Sequence, residues 1–204
     1  MPPKLIKPLV FTLALAPLAW LVYAALTGHL GVNPIETVTR SLGDWALRFL
    51  LLTLAVTPLR KLTGWRWPMR FRRMLGLYAF LYTTLHLAGY IVLDQFFYWP
   101  GIWEDILKRP YITVGMVSFL MLIPLAVTST SGMMRRLGKN WQRLHRLVYP
   151  IAIGGVLHYY MLVKADTREP LIYATILLVL LLLRLPSFQR PPRRFVKLRR
   201  NTLN

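Results

Sequence analysis

Long apolar segments with very few charges are the feature that most constrains this chain. The clearest covers residues 74–93, which contain no Asp, Glu, Lys or Arg. A run of about 20 such residues is long enough to cross the hydrocarbon core of a bilayer, and a helix satisfies its own backbone hydrogen bonds there. We therefore predict an all-α membrane protein, with six transmembrane helices at about residues 8–27, 44–60, 73–93, 111–130, 146–164 and 170–185.

Three of these segments are less clear-cut than the rest. Arg48 interrupts the second and Arg184 closes the sixth, and we expect both side chains to extend toward lipid headgroups. The first segment follows Lys4 and Lys7 and so has the charge pattern of a secretory signal. Because its apolar stretch is long and no small-x-small cleavage site is followed by a mature soluble domain, we predict that it is retained as a helix.

Charged residues divide unevenly between the two sets of loops. All 7 acidic residues lie in the first, third and fifth loops or at their edges. The N-terminal residues, the second and fourth loops and the C-terminal residues hold no acid and most of the 26 Lys and Arg residues. Since cytoplasmic loops carry an excess of Lys and Arg, both termini are predicted to be cytoplasmic, which an even number of spans requires. The 7 Trp residues fall near predicted interfaces, as in aromatic belts.

The net charge of +19 would suggest a nucleic-acid partner in a water-soluble protein, but here it follows membrane topology, and no nucleic-acid partner is expected. We predict a transmembrane domain over 1–185 and a basic cytoplasmic tail over 186–204 that contacts anionic lipids. The chain has no cysteine. A disulfide, a thiolate zinc site, an iron–sulfur cluster and a cysteine-linked haem are therefore excluded within this chain.

Two histidines lie inside predicted membrane helices, at matching depths. His86 is about 20 Å along its helix from Arg73, at about 1.5 Å per residue, and His158 lies equally far beyond His145. Both therefore fall in the outer half of the membrane. Two imidazoles that face each other across a bundle are a natural axial pair for a haem iron, which indicates electron transfer. The alternative is that each histidine only hydrogen-bonds a neighbouring helix.

A second group of candidates lies near the cytoplasmic surface. His145 is predicted at the inner end of the fifth segment, level with Arg72 and Arg73 at the start of the third. Guanidinium groups suit haem propionates or a flavin phosphate. Lipid phosphate binding by His145 and positive-inside anchoring by the arginines are the alternatives. His29, in a glycine-rich loop, is interpreted as an ordinary loop residue.

Several short motifs, spread over nearly the whole chain, carry a family resemblance. They are RRMLGL at 72–77, LHL at 85–87, KRPY at 108–111, LAVTST at 125–130, LGK at 137–139, WQRLH at 141–145 and HY at 158–159. On these motifs the chain resembles the MsrQ family (also called YedZ), the haem-binding membrane subunits of bacterial methionine sulfoxide reductase systems. Together these motifs are specific to the family, whereas any one of them alone would be weak evidence for it.

The resemblance implies a six-helix ferric-reductase-like transmembrane domain in the bacterial inner membrane. It implies haem b, one or two per chain, with His86, His145 and His158 as the iron ligands, and it also implies FMN. Electrons would come from the quinone pool or a flavin reductase and pass to MsrP, a periplasmic molybdopterin enzyme that reduces methionine sulfoxide in oxidised proteins. The sulfoxide-reducing site would lie on that partner. The wider ferric-reductase pattern has two histidines on each of two helices, whereas the third segment here has only His86.

Two other functions remain open at this point. One is a self-contained transmembrane reductase of metal ions or oxygen. Such proteins usually append a flavin–nicotinamide domain, whereas only a short basic tail follows the sixth segment here and no G-x-G-x-x-G pattern is present. The other is a haem-carrying transporter or assembly scaffold, for which internal repeats and broken helices are typical. Electron transfer to a periplasmic protein is the function that the sequence favours.

Overall fold

A computed structural model of the protein describes residues 3–163 and 165–185, and this part of the chain is helical throughout, without β-strands. The α-helices found there are α1 (Pro3–Leu26), α2 (Pro34–Thr63), α3 (Arg72–Gly89), α4 (Trp99–Lys108), α5 (Pro110–Val127), α6 (Ser131–Leu137), α7 (Lys139–Leu144), α8 (Val148–Leu162) and α9 (Arg168–Leu182). Short 3-10 turns at Trp67–Arg70 and His145–Leu147 precede α3 and α8, and a π-helical turn at Tyr90–Asp94 extends α3. The predicted tail 186–204 lies outside the described residues.

Four of the described helical segments are long and apolar enough to cross a bilayer. They are Ile6–Leu26, Pro34–Thr63, Arg72–Asp94 and Pro110–Val127. The helices α8 and α9 have 15 residues each, which gives a length of about 22 Å. An all-helical membrane fold is therefore confirmed, and the crossing of the membrane by α8 and α9 stays a prediction.

The start of α2 was predicted wrongly, because the segment expected from about residue 44 begins at Pro34. Proline is favoured in the first turn of a helix, where its missing N–H costs nothing. The preceding Asn33 accepts a hydrogen bond from the backbone N–H of Glu36, and its amide donates to the Glu36 carboxylate over 2.8 Å. A polar first turn thus forms helix by capping, although hydropathy alone excludes it.

Short helices lie in two of the connections that were expected to be loops, the one after α5 and the one between α3 and α5. The segment predicted to end near residue 130 ends at Val127, where the hydroxyls of Thr128 and Ser129 donate back to carbonyl oxygens one turn earlier. The Thr130 hydroxyl then accepts from the backbone N–H of Met133 and caps α6. On the other side of the bundle, α4 occupies the loop between α3 and α5.

The core is built from two antiparallel helix pairs, α2 with α3 and α5 with α8. Leu54, Tyr82 and Ala152 are fully buried in it. We call the acidic end the one where α3 and α8 end and α2 and α5 begin, and the basic end the opposite one. Helix α1 is fastened by the Tyr82 hydroxyl, which donates to the carbonyl oxygen of Ala14 over 2.8 Å.

Arg48 and Arg184, which were predicted to extend toward lipid headgroups, both form hydrogen bonds with groups on neighbouring helices. Arg48 Nε donates to the hydroxyl of Tyr173 on α9 over 2.8 Å. Arg184 donates to the Tyr149 hydroxyl over 2.9 Å and to the carbonyl oxygen of Leu54. A charged group in a low-dielectric environment is stabilised by such partners, so both side chains link α9 to neighbouring helices.

Candidate cofactor site

His86 lies near the end of α3 and faces the first turns of α2. Its Nδ1 is 2.8 Å from the carbonyl oxygen of Thr39, and because a carbonyl can only accept, Nδ1 is the protonated nitrogen. The ring comes this close because residue 43 is glycine, where a Cβ would stand 3.1 Å from the ring atoms Nδ1 and Cε1. This arrangement fixes the ring and leaves Nε2 as the nitrogen able to bind a metal.

His158 has the same surroundings on the other helix pair. Its Nδ1 lies 2.7 Å from the carbonyl oxygen of Tyr111 in the first turn of α5. A Cβ at Gly115, one turn further along α5, would be only 2.8 Å from that nitrogen. The sequence separation between the histidine and its carbonyl is 47 residues in both cases. Each helix pair therefore holds one imidazole in the same way, by a backbone carbonyl on the partner helix and a nearby glycine.

The two imidazoles meet at the acidic end of the bundle. Their ring centres are 6.1 Å apart and their planes are nearly perpendicular, at 84°. An iron bound to both Nε2 atoms at about 2 Å, with each ring centre about 1.1 Å beyond its nitrogen, would separate the centres by about 6 Å. The distance between the ring centres is therefore compatible with one metal ion between the two imidazoles. The alternative interpretation was that each histidine only hydrogen-bonds a neighbouring helix. These hydrogen bonds do form, but they involve Nδ1 and leave Nε2 able to bind a metal.

Axial ligation by a pair also agrees with the absence of larger ligand groups. In the described residues, no cluster of three or more His, Asp or Glu side chains could hold a metal ion. Two histidines alone rarely make a complete metal site, but they complete the coordination of an iron already held by a porphyrin. The chemistry of the two imidazoles therefore fits a haem.

His145 lies at the basic end of the bundle, in the 3-10 turn that precedes α8. The sequence had predicted it at the inner end of the helix itself. Its ring stacks on Trp141 at 3.9 Å, and Nδ1 is 3.1 Å from the carbonyl oxygen of the same residue. The Nε2 atom is buried and has no hydrogen-bond partner. Since buried polar nitrogens are normally paired, this one is a candidate ligand atom.

The surroundings of His145 favour the neutral form of its ring. Burial lowers the pKa of its imidazole, the nearby backbone carbonyl groups of Trp141 and Leu125 raise it in part, and the positive charge of Arg72 lowers it. The net direction is downward from the usual value of a histidine. A neutral imidazole is the form that binds a metal.

Of the two candidate arginines, the structure brings only one close to His145. Arg72 is half-buried and lies within electrostatic reach of both His145 and Arg184. Arg73 is exposed, with Nη1 3.7 Å from the sulfur of Met134. Two guanidinium groups that share one partly buried region favour an anion such as a carboxylate or phosphate.

Sequence reasoning missed the residues that hold the histidines in place. Gly43 and Gly115 are not part of a recognisable sequence motif. The carbonyl groups of Thr39 and Tyr111 belong to the backbone, so the identity of these residues does not reveal their role. The equal spacing of each histidine from its glycine was the available clue. His29, interpreted as an ordinary loop residue, lies in an exposed turn, with Nδ1 2.8 Å from the Thr27 hydroxyl.

The chain matches one family of known membrane proteins and is similar to named members of it. The profile of the family described as "Ferric reductase like transmembrane component" matches residues 42–156. Three similar proteins are each named "Protein-methionine-sulfoxide reductase heme-binding subunit MsrQ". The one from Rhodospirillum rubrum is 60% identical over 183 residues, which is 89% of this chain and 88% of the relative. The one from Xanthomonas oryzae is 56% identical over 181 residues (86% and 83%), and the one from Caulobacter vibrioides is 52% identical over 181 residues (88% and 86%).

Proposed function

The chain belongs to the MsrQ family of ferric-reductase-like transmembrane proteins, and on this premise we propose that it carries electrons through the membrane for a methionine sulfoxide reductase system. The observation that carries the proposal is the pair of imidazoles at the acidic end, whose ring centres are 6.1 Å apart. Each ring is oriented by a backbone carbonyl, so both Nε2 atoms are available.

In this proposal His86 and His158 would together hold the iron of a haem b. When bound, the haem supplies an iron that gains and loses one electron between the ferric and ferrous states. The carbonyl oxygens of Thr39 and Tyr111 hold the rings in one tautomer and one orientation, and a hydrogen bond of this kind also makes the ligating nitrogen more basic. The glycines at 43 and 115 leave room for both rings.

At the basic end, His145, Arg72 and Arg73 would hold a second cofactor, either a second haem b or FMN. The buried, unpartnered Nε2 of His145 supports a role as a ligand. Arg72 would bind an acidic group of that cofactor, and Arg73 would contribute from the surface. Electrons from a quinol or from a flavin reductase would enter here and cross to the acidic end.

The membrane arrangement that this route requires is six spans with both termini in the cytoplasm of a bacterium with an inner membrane. Residues 146–162 and 168–185 include the turns that flank α8 and α9 and give about 17–18 helical or turn residues each, near the lower limit for a span. The Lys and Arg residues at the basic end support a cytoplasmic position for that end. The same residues, with the basic tail, would contact anionic lipids.

The electron acceptor would be a periplasmic molybdopterin reductase of the MsrP type, which repairs oxidised periplasmic proteins. The site that reduces the sulfoxide would lie on that enzyme, so this chain would act as the electron-transfer subunit of an oxidoreductase complex. The acidic loops near His86 and His158 would contribute to docking. Charges in such a surface mainly affect association rate and specificity.

The test is electron transfer in vesicles that contain the purified, haem-loaded protein. A quinol or a reduced flavin is expected to reduce the b-type absorption, and the periplasmic reductase with methionine sulfoxide is expected to reoxidise it. A variant with His29→Ala serves as the control, because this histidine lies in an exposed turn. Equally fast reoxidation by ferric ions or oxygen without the reductase would instead identify a self-contained reductase. Transfer of the haem itself to another protein would identify a carrier.

A further inference from the structure

Helix α4 lies between two membrane-spanning segments. The segment that contains α3 ends at Asp94, and the next one begins at Pro110. The 10 residues of α4 would have a length of about 15 Å. Because the chain leaves the membrane just before this helix and re-enters it two residues after it, α4 is held at the membrane surface by both of its ends.

The surface of α4 has three distinct faces. Trp99, Trp103 and Leu107 follow each other at intervals of four residues and are 58%, 64% and 80% exposed. Glu104 and Lys108 form an ion pair of 2.6 Å, and their positions lie about 100° further round the helix. The exposed apolar face and the exposed charged face therefore lie side by side on one short helix.

The third face of α4 is fixed to the protein. Asp105 is buried and accepts hydrogen bonds from the Tyr90 hydroxyl over 2.9 Å and from the Gln95 amide over 3.0 Å. It also pairs with Arg109 at 2.9 Å, and Ile102 is buried beside it. Because these contacts define how the helix is rotated about its axis, the apolar face keeps a set direction.

The turn before α4 adds to the apolar surface. Phe96 and Phe97 have positive φ angles of 46° and 60°, a conformation that bulky residues rarely adopt. Their side chains are nevertheless 74% and 55% exposed. A disfavoured backbone that presents two phenyl rings outward indicates that the rings have a partner outside the chain.

We propose that the apolar face of α4, formed by Trp99, Trp103 and Leu107 together with Phe96 and Phe97, is embedded in the interface of the bilayer. Aromatic residues on one side and charges on the other are typical of helices that lie in this region. The lipid is favoured over a protein partner because α4 joins two segments that are long and apolar enough to cross a bilayer, so both of its ends lie at the membrane surface. The proposal does not depend on the electron-transfer role.

The absence of cysteine from the chain allows a direct test with single-cysteine variants. Trp103→Cys and Leu107→Cys probe the apolar face, and Glu104→Cys and Lys108→Cys are matched controls on the charged face. Each full-length variant is spin-labelled and placed in vesicles of phosphatidylethanolamine and phosphatidylglycerol. Collisions with oxygen, which concentrates in lipid, are then compared with collisions with a water-soluble nickel chelate.

We expect a several-fold higher oxygen-to-nickel ratio at 103 and 107 than at 104 and 108. Equal ratios at all four positions would overturn the proposal, as would labels at 103 and 107 that are water-accessible until a periplasmic protein covers them. If Trp103→Cys does not fold, the adjacent positions 107 and 108 decide the question, because both side chains are exposed. The measurement needs no haem, so its failure is distinguishable from a failure of the proposed function.

Discussion

Replacing Gly115 by alanine should weaken the cofactor site while leaving both proposed ligands in place. The new Cβ would lie 2.8 Å from His158 Nδ1, where ordinary contacts begin at 3.4 Å. The ring must therefore move by about 0.6 Å, which overpacks a filled site at a cost of about 1–3 kcal/mol. The same movement lengthens its 2.7 Å hydrogen bond to the Tyr111 carbonyl by up to about 0.6 Å, which weakens a contact that contributes about 1 kcal/mol.

The expected result is about 10–100-fold weaker haem binding, as when other groups that orient metal ligands are removed. The assay is a haem titration of the purified apoprotein, followed by the low-spin absorption spectrum. Gly43→Ala should have a smaller effect, because its Cβ would be 3.1 Å from the His86 ring. Gly132→Ala is the control, because nothing lies within 4 Å of the added atom. Unchanged affinity and spectrum in the Gly115 variant would refute the reasoning.

Two further substitutions test other parts of the structure. His145→Ala should keep the haem at the acidic end and slow its reduction from the basic end, and stopped-flow absorption measures this; haem loss equal to that of His86→Ala would contradict separate sites. Tyr82→Phe should lower the stability by about 1–3 kcal/mol, because it removes a hydroxyl that donates to the carbonyl oxygen of Ala14 and accepts from the backbone N–H of Leu18. Thermal unfolding in detergent measures the loss, and an unchanged midpoint relative to the control Tyr23→Phe, at an exposed position, would show that these bonds add nothing.

The sequence was sufficient for the features that depend on hydrophobicity and helix rise. Apolar runs predicted the segments that contain α1, α3 and α5 closely. The depth argument placed His86 and His158 at one level, and the structure brings their rings together. Both arguments work because lipid imposes a simple length and composition on any helix that crosses it.

Features set by specific contacts could not be predicted in this way. The first ten residues of α2 look like a polar loop, and their helical form is supported by the cap at Asn33 and by the ion pair between Glu36 and Arg40. Arg48 and Arg184 were expected to extend toward headgroups, because a single sequence does not show which hydroxyls and carbonyls lie opposite them. The close approach of Gly43 and Gly115 to the histidines is likewise a property of helix packing, which hydropathy does not report.

The central claim is that His86 and His158 together hold one haem. The most direct test measures the haem content per polypeptide and the low-spin spectrum of His86→Ala and His158→Ala, each purified from cells with ample haem, beside the wild type and His29→Ala. The account predicts that either substitution at the pair removes the same haem, while His29→Ala retains it. Normal haem content with an unchanged low-spin spectrum in both variants would contradict it.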